Sequence, residues 1–320
     1  MLDSLRVLWQ GRVVGDQVVS FLSASGPFRY SSKGRIMIDL KQDALTITLF
    51  NQQFDMLVGR HKEALLSHVK DDPQRIIIRH YLNVLRELCQ QGCGCLDGKA
   101  YSTLEALSRV IMEQSANMLY VGMDGGDNAR ALLRSSKQLT ESNGKAWATY
   151  LSSQGAHNPA AQARQANGTA MLAHFDERWP NVARYPGGKG LFAALGWENH
   201  YHAFYAPLCD SVHSFSDDLS GLVGISDLFA ESELEGTQLL RYWDKERRRL
   251  ATYHYGIALG LRAEAFTRLC NLLAPGLEDD AAEAIFKELD DLIERHDQFD
   301  HNRLDAMAGT AVFEDFAINT

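Results

Sequence analysis

The chain of 320 residues has only 7 prolines, and five of them (Pro159, Pro180, Pro186, Pro207 and Pro275) fall after residue 150. Long stretches without proline suit long helices, because nothing interrupts the backbone hydrogen-bond ladder. Cysteine is also scarce, at 5, and the odd number argues against a disulfide scaffold. No apolar run reaches the roughly 18 residues of a membrane span, and the opening segment MLDSLRVLWQGRVVGDQ lacks the apolar stretch of a signal peptide. A cytoplasmic chain with no membrane partner is therefore expected. There is no βαβ alternation, no internal repeat and no low-complexity run. A net charge of −9 argues against nonspecific binding to a nucleic-acid backbone as a global property, although a local basic patch such as Lys245 to Arg249 could still contact RNA.

The rest of the chain is rich in Leu, Ala, Glu, Gln and Arg, all good helix formers. The expected fold is mainly α, a single multi-helix bundle of about nine helices spanning residues 1–320, with a soft boundary at the loop 179–190. Helices are predicted over Lys33 to Val58, Lys62 to Val69, Gln74 to Gln91, Thr103 to Met123 and Asn128 to Ser152. Others are predicted over Ala160 to Phe175, Leu191 to Leu195, Trp197 to Phe215, Glu233 to Leu273 and Asp279 to Asp297. Leu45 to Phe50 and Arg6 to Val14 have some strand character. The turn Gly92-Cys93-Gly94-Cys95 is expected to end the third helix, and Ser102 with Glu105 reads as a capping box for the fourth.

That fourth helix is apolar almost all round, the mark of a central, buried helix. Yet it carries Arg109 and Glu113, four residues apart. Their order is the less favourable one for an intrahelical pair, so at least one should bond to something beyond its own helix. The second informative stretch places Trp197, Tyr201, Tyr205, Cys209 and His213 at four-residue steps. A tighter stripe holds His202, Ala206, Cys209, His213 and Ser216, and Pro207 should kink the helix. Cys209 and His213 could be a nucleophile and its base. His202, Cys209 and His213 could hold a metal with Asp210 or Asp217, and His213 could transfer protons in a pocket. A satisfied core histidine and cysteine is the plainer reading.

Weaker constellations remain. Cys89, Cys93 and Cys95 lack a fourth ligand at zinc spacing, and Pro186 to Gly190 reads as a plain turn or an anion site. No motif calls for a cofactor or a metal. Arg-x4–6-His is the signature of the HEPN superfamily of helical, metal-independent ribonucleases. It matches at Arg75/His80, at Arg247, Arg248 or Arg249 with His254, and at Arg295/His301. Of these Arg295 with His301 is the best candidate.

Two segments together resemble a widespread bacterial family of helical proteins of unknown function. One is Leu104 to Glu113 running on to Leu119-Tyr120; the other is Gly196-Trp197 followed by Tyr201, Tyr205 and His213. Cys209 stands where that pattern tends to have serine. The resemblance covers residues 101–219. It implies an α-helical bundle in which Arg109, Glu113, Tyr201, Tyr205 and His213 share a polar cluster, and it supplies no established activity. The family type suggests a binding or regulatory protein in stress or phage defence. The alternative is a hydrolase, either a HEPN-like ribonuclease using Arg295 and His301 or a pocket enzyme using Glu113 and His213. A small ligand, RNA and a second copy of the chain stay open as partners.

Overall fold

The computed structural model describes residues 37–156, 158–209, 233–275, 281–309 and 318–319. Among these the protein is mainly α, with nine α-helices packed in one body. They are α1 (Leu40–His68), α2 (Asp72–Asp97), α3 (Tyr101–Gly122), α4 (Asp127–Ser153), α5 (Pro159–Arg178), α6 (Gly188–Ala194), α7 (Glu198–His200), α8 (Glu233–Leu273) and α9 (Ala281–Gly309). A π-helical turn, Tyr201–Tyr205, continues α7. Two-residue strands β1 (Ile38–Asp39) and β2 (Ile318–Asn319) pair in parallel. No helix among the described residues is long and apolar enough to cross a membrane.

Several predicted boundaries shift, each for a local reason. The strand-like Leu45 to Phe50 is helical, and the first two predicted helices are one. That helix starts at Leu40 because Asp39 caps it, its carboxylate accepting from the amides of Lys41 and Gln42 at 3.1 Å. The glycine-rich turn at 92–95 does not end α2, which runs on to Asp97. Its end is a Schellman closure. The Ala100 amide donates to the Cys95 carbonyl at 2.8 Å and the Lys99 amide to that of Leu96 at 3.2 Å, with Lys99 in the left-handed region (φ 56°). This tight exit starts α3 at Tyr101, ahead of the predicted capping box. Ser102 is thus no cap, and its hydroxyl instead accepts from Arg247 at 3.1 Å.

The α3 helix sits at the centre, as its apolar composition demands, with Ile111, Met112, Met118, Leu119 and Val121 fully buried. It runs parallel to α8. At one end Ser102 meets Arg247 and the Tyr101 ring lies under the Arg248 guanidinium; at the other Gly122 meets Leu269. Both helices carry buried small residues at seven-residue spacing. On α3 they are Ser108, Ser115 and Gly122; on α8 they are Ala251, Ala258 and Ala265, which lie between the Arg247–Arg248 end and the Leu269 end. All six are buried. A methyl group on Gly122 would sit 1.9 Å from Leu269 Cδ2, so at this end the Leu269 side chain occupies the space that the glycine leaves.

By contrast, α4 and α5 form a hairpin that packs chiefly on itself. Gly144 and Gly168 sit at its crossing, where an added methyl would lie 3.0 Å and 2.7 Å from the partner's backbone.

The two glycines of α2 make opposite predictions. A methyl at Gly92 would lie 2.5 Å from the buried Tyr255 ring, whereas Gly94 has nothing within 4 Å. Gly92→Ala should destabilise the protein by about 1–3 kcal/mol through overpacking. Gly94→Ala should stabilise it by about 0.5–1 kcal/mol through helix propensity. Urea unfolding of both variants checks the pair; equal signs would contradict the packing described.

Candidate functional site

The polar cluster forms where the π-turn docks on α3. Pro207 has no N–H to give to the carbonyl four residues back, and the preceding turn widens. The Ala206 amide donates to the Tyr201 carbonyl, five residues back. The extra residue rotates the chain downstream of it, so the predicted stripe joining His202 to Cys209 does not assemble. His202 points to Glu198, 4.0 Å away, and is exposed. Tyr205 and Cys209 turn instead toward α3.

There Tyr205 Oη donates to Glu113 Oε2 at 2.9 Å, and Arg109 Nε donates to Cys209 Sγ at 3.0 Å. Both bonds bridge elements about a hundred residues apart in sequence. The Arg109 guanidinium also lies 5.6 Å from the Tyr205 ring centre, while its terminal nitrogen reaches Glu113 Oε2 only at 3.9 Å. The outward partners of Arg109 and Glu113 are thus Cys209 and Tyr205. Tyr201 stacks beside Tyr205 with centroids 5.6 Å apart, and Phe192 of α6 packs under both. Arg109 and Glu113 keep 22% and 37% of their side-chain surface, so the cluster opens to solvent. His213 lies outside the described residues.

Sequence reasoning missed three members. Tyr185, in the loop after α5, donates to Asn117 Oδ1 at 2.5 Å, and Asn117 is one turn beyond Glu113. Its ring packs edge-on against Tyr120 at 5.8 Å. Tyr81 of α2 is the third. Burial, and then the Glu113 charge, push its phenol up to about 12. Tyr185 is raised by burial, then by Tyr81 and Glu113; Tyr205 is raised by burial, then by Glu113. Three phenols therefore stay protonated around one carboxylate. No spacing in the sequence links Tyr81 or Tyr185 to α3, because each arrives from a separate element.

The second candidate pair lies elsewhere. Arg295 donates to Asp43 Oδ1, while the side chain of His301, although in α9, lies outside the described residues. Arg295 borders a buried ionic network that the sequence did not announce. Arg249, with no exposed surface, donates twice to Glu246 at 2.8 Å and once to Asp300 at 2.6 Å. It also donates to His296 Nδ1 at 3.4 Å, so the proton of His296 sits on Nε2 and faces Asp43 Oδ2 at 3.1 Å. The Tyr253 ring stacks flat on His296 and its hydroxyl donates to Asp297. Arg75, with His80 the first of the Arg–His matches, pairs with Asp72 and has no such environment.

The remaining constellations are structural in form. Cys89 and Cys93 flank Tyr255, whose hydroxyl donates to the Cys89 carbonyl and lies 3.6 Å from Cys93 Sγ. Burial raises Cys89 to about 11. Lys189, which lies in the first turn of α6, pairs with Glu198 at 3.4 Å. Among the described residues no group of three His, Cys, Asp or Glu could hold a metal ion. No family model, no curated protein and no solved structure matches this chain.

Histidine burial sets an acid limit. Burial first, then the charge of Arg249, lowers His254 to about 4, and burial alone lowers His200 to about 4. Unfolded, each would take its proton near pH 6.5. Stability from keeping them neutral is therefore complete above about pH 6.5 and is lost as pH falls toward about 4. The loss has a ceiling of about 3 kcal/mol per histidine. Denaturant unfolding of wild type and His254→Gln across this window checks it. The variant should show a shallower pH slope, and identical slopes would contradict the assignment.

Proposed function

We propose that this protein is a binding or regulatory protein whose ligand site is the cluster of Arg109, Glu113 and Tyr205, completed by Tyr81, Tyr185, Asn117 and Cys209. The observation that carries the reading is the combination of exposure and convergence. Cation, carboxylate, thiol and phenols come from four separate elements, yet the charged pair keeps access to water. A purely structural ion pair on a central helix would be expected to close on itself. Here Arg109 and Glu113 stand 3.9 Å apart and each spends its best hydrogen bond elsewhere. The π-turn adds support, since such turns collect at functional sites. The likeness to a bacterial helical family with an Arg-x3-Glu helix and a Tyr-x3-Tyr helix is consistent with it.

Binding is preferred over RNA cleavage through Arg295 and His301 because Arg295 is tied to the buried Asp43 carboxylate. A guanidinium so held would have to leave that partner to steady a phosphate.

A thermal-shift screen of small polar metabolites tests the site. At least one compound should raise the melting temperature of wild type by several degrees and fail to do so for Arg109→Gln and Tyr205→Phe. Glu113→Ala separates the structural view. A large loss of stability with every ligand response retained would reject the site.

A further inference from the structure

Glu113 is a carboxylate with one side engaged. Both its contacts, the Tyr205 hydroxyl and the Arg109 terminal nitrogen, fall on Oε2. The described residues supply no hydrogen-bond donor to Oε1, on a side chain that is 37% exposed. Tyr81 Oη, close enough to Glu113 to feel its charge, likewise has no hydrogen-bond partner among the described residues. Tyr185 Oη spends its proton on Asn117 and keeps its lone pairs. The acceptors left open in the cluster are therefore Glu113 Oε1 and the lone pairs of Tyr81 and Tyr185, beside the donors that the Tyr81 hydroxyl and the terminal nitrogens of Arg109 retain. The cation that would ordinarily cover the carboxylate is drawn aside, since Arg109 gives its Nε to Cys209. Around these acceptors stand the rings of Tyr81, Tyr120, Tyr185 and Tyr205. The face of Tyr205 already receives a cation, the Arg109 guanidinium at 5.6 Å.

We propose that the cluster binds a primary alkylammonium group, of the kind carried by a small amine, a diamine or a lysine side chain. The ammonium has three donors and no acceptor, matching Glu113 Oε1, Tyr81 Oη and Tyr185 Oη. The phenol rings favour a cation over their faces, and a partly desolvated carboxylate supplies the counter-charge. A carboxylate or phosphate ligand would be repelled by the negative Glu113, with the Arg109 terminal nitrogens and the Tyr81 hydroxyl as the donors to answer it. This inference rests on the cluster being a ligand site and adds the ligand's chemical class.

Isothermal titration of the full chain at fixed ionic strength tests it, with butylammonium and 1,4-diaminobutane as probes and butyrate and inorganic phosphate as controls. Wild type should bind both amines saturably and neither anion. Glu113→Gln should weaken amine binding at least tenfold, and Tyr81→Phe several-fold while leaving the fold intact by circular dichroism. Absence of saturable amine binding, or amine binding unchanged in both variants, would overturn the proposal. Saturable butyrate or phosphate binding that is lost in Arg109→Gln would also overturn it. That last result would leave the site in place with the opposite ligand class, whereas failure of the metabolite screen would remove the site itself.

Discussion

The seam between α3 and α8 governs what the rest of the bundle can do. Ser102 with Arg247, Tyr101 with Arg248 and Gly122 with Leu269 hold the two helices parallel from one end of α3 to the other. Parallel neighbours cannot be joined by a short turn. The long connection that joins them carries the α4–α5 hairpin, α6, α7 and the π-turn, and the last of these returns to the exposed edge of α3. The site therefore lies where the crossover re-enters the bundle. Its two halves are fixed to the same rigid seam, one directly and one through Phe192, Trp197 and Leu208 in the shared core.

Because α8 is buried along much of its length, its charged residues must be answered inside the protein. Arg249 is met by Glu246, Asp300 and His296. Arg262 is met by Asn51 at 2.9 Å and Asp55 at 2.6 Å, with its guanidinium over the Phe54 ring. Arg268 donates to the Leu195 carbonyl at 2.9 Å and shares Glu264 with Trp197 Nε1. Each arginine thus ties α8 to a different neighbour: α9, α1 and the loop after α6. Removing a partner from a buried charge such as Arg249 or Arg262 typically costs about 3–5 kcal/mol, because the charge loses its compensation. These contacts fix register. Those at Arg249 and Arg262 are closed networks, which distinguishes them from the half-open pairing at Arg109 and Glu113.

Much of this was legible in the sequence, and the failures are instructive. The all-round apolar pattern of 103–123 placed α3 at the centre, and the unfavourable order of Arg109 and Glu113 required partners from outside the helix. The proline-free stretch 233–273, which reads as one long helix or a kinked pair, forms a single helix. The glycines at 92 and 94 misled, because a glycine that admits a neighbouring ring looks the same in sequence as one that ends a helix. Tyr255, which explains Gly92, is more than 160 residues away. Pro207 signalled a distortion but not its kind, and the widened turn rotated Cys209 onto Arg109 and His202 away from it. Tyr81 and Tyr185 were invisible as site residues because only the fold brings them to Glu113. The small-residue spacing on α3 and α8 was present in both segments, but it carries meaning only once the two helices are known to be neighbours.

The turn after α7 docks on α3 through the Tyr205–Glu113 contact. A double-mutant cycle measures that contact directly, using Tyr205→Phe, Glu113→Gln and the double variant in urea unfolding. The coupling energy should be about 1 kcal/mol or more, because the bond has a charged acceptor and is partly buried. Additivity of the two substitutions within about 0.3 kcal/mol would show that the two side chains do not interact, and the cluster built around them would not exist as described.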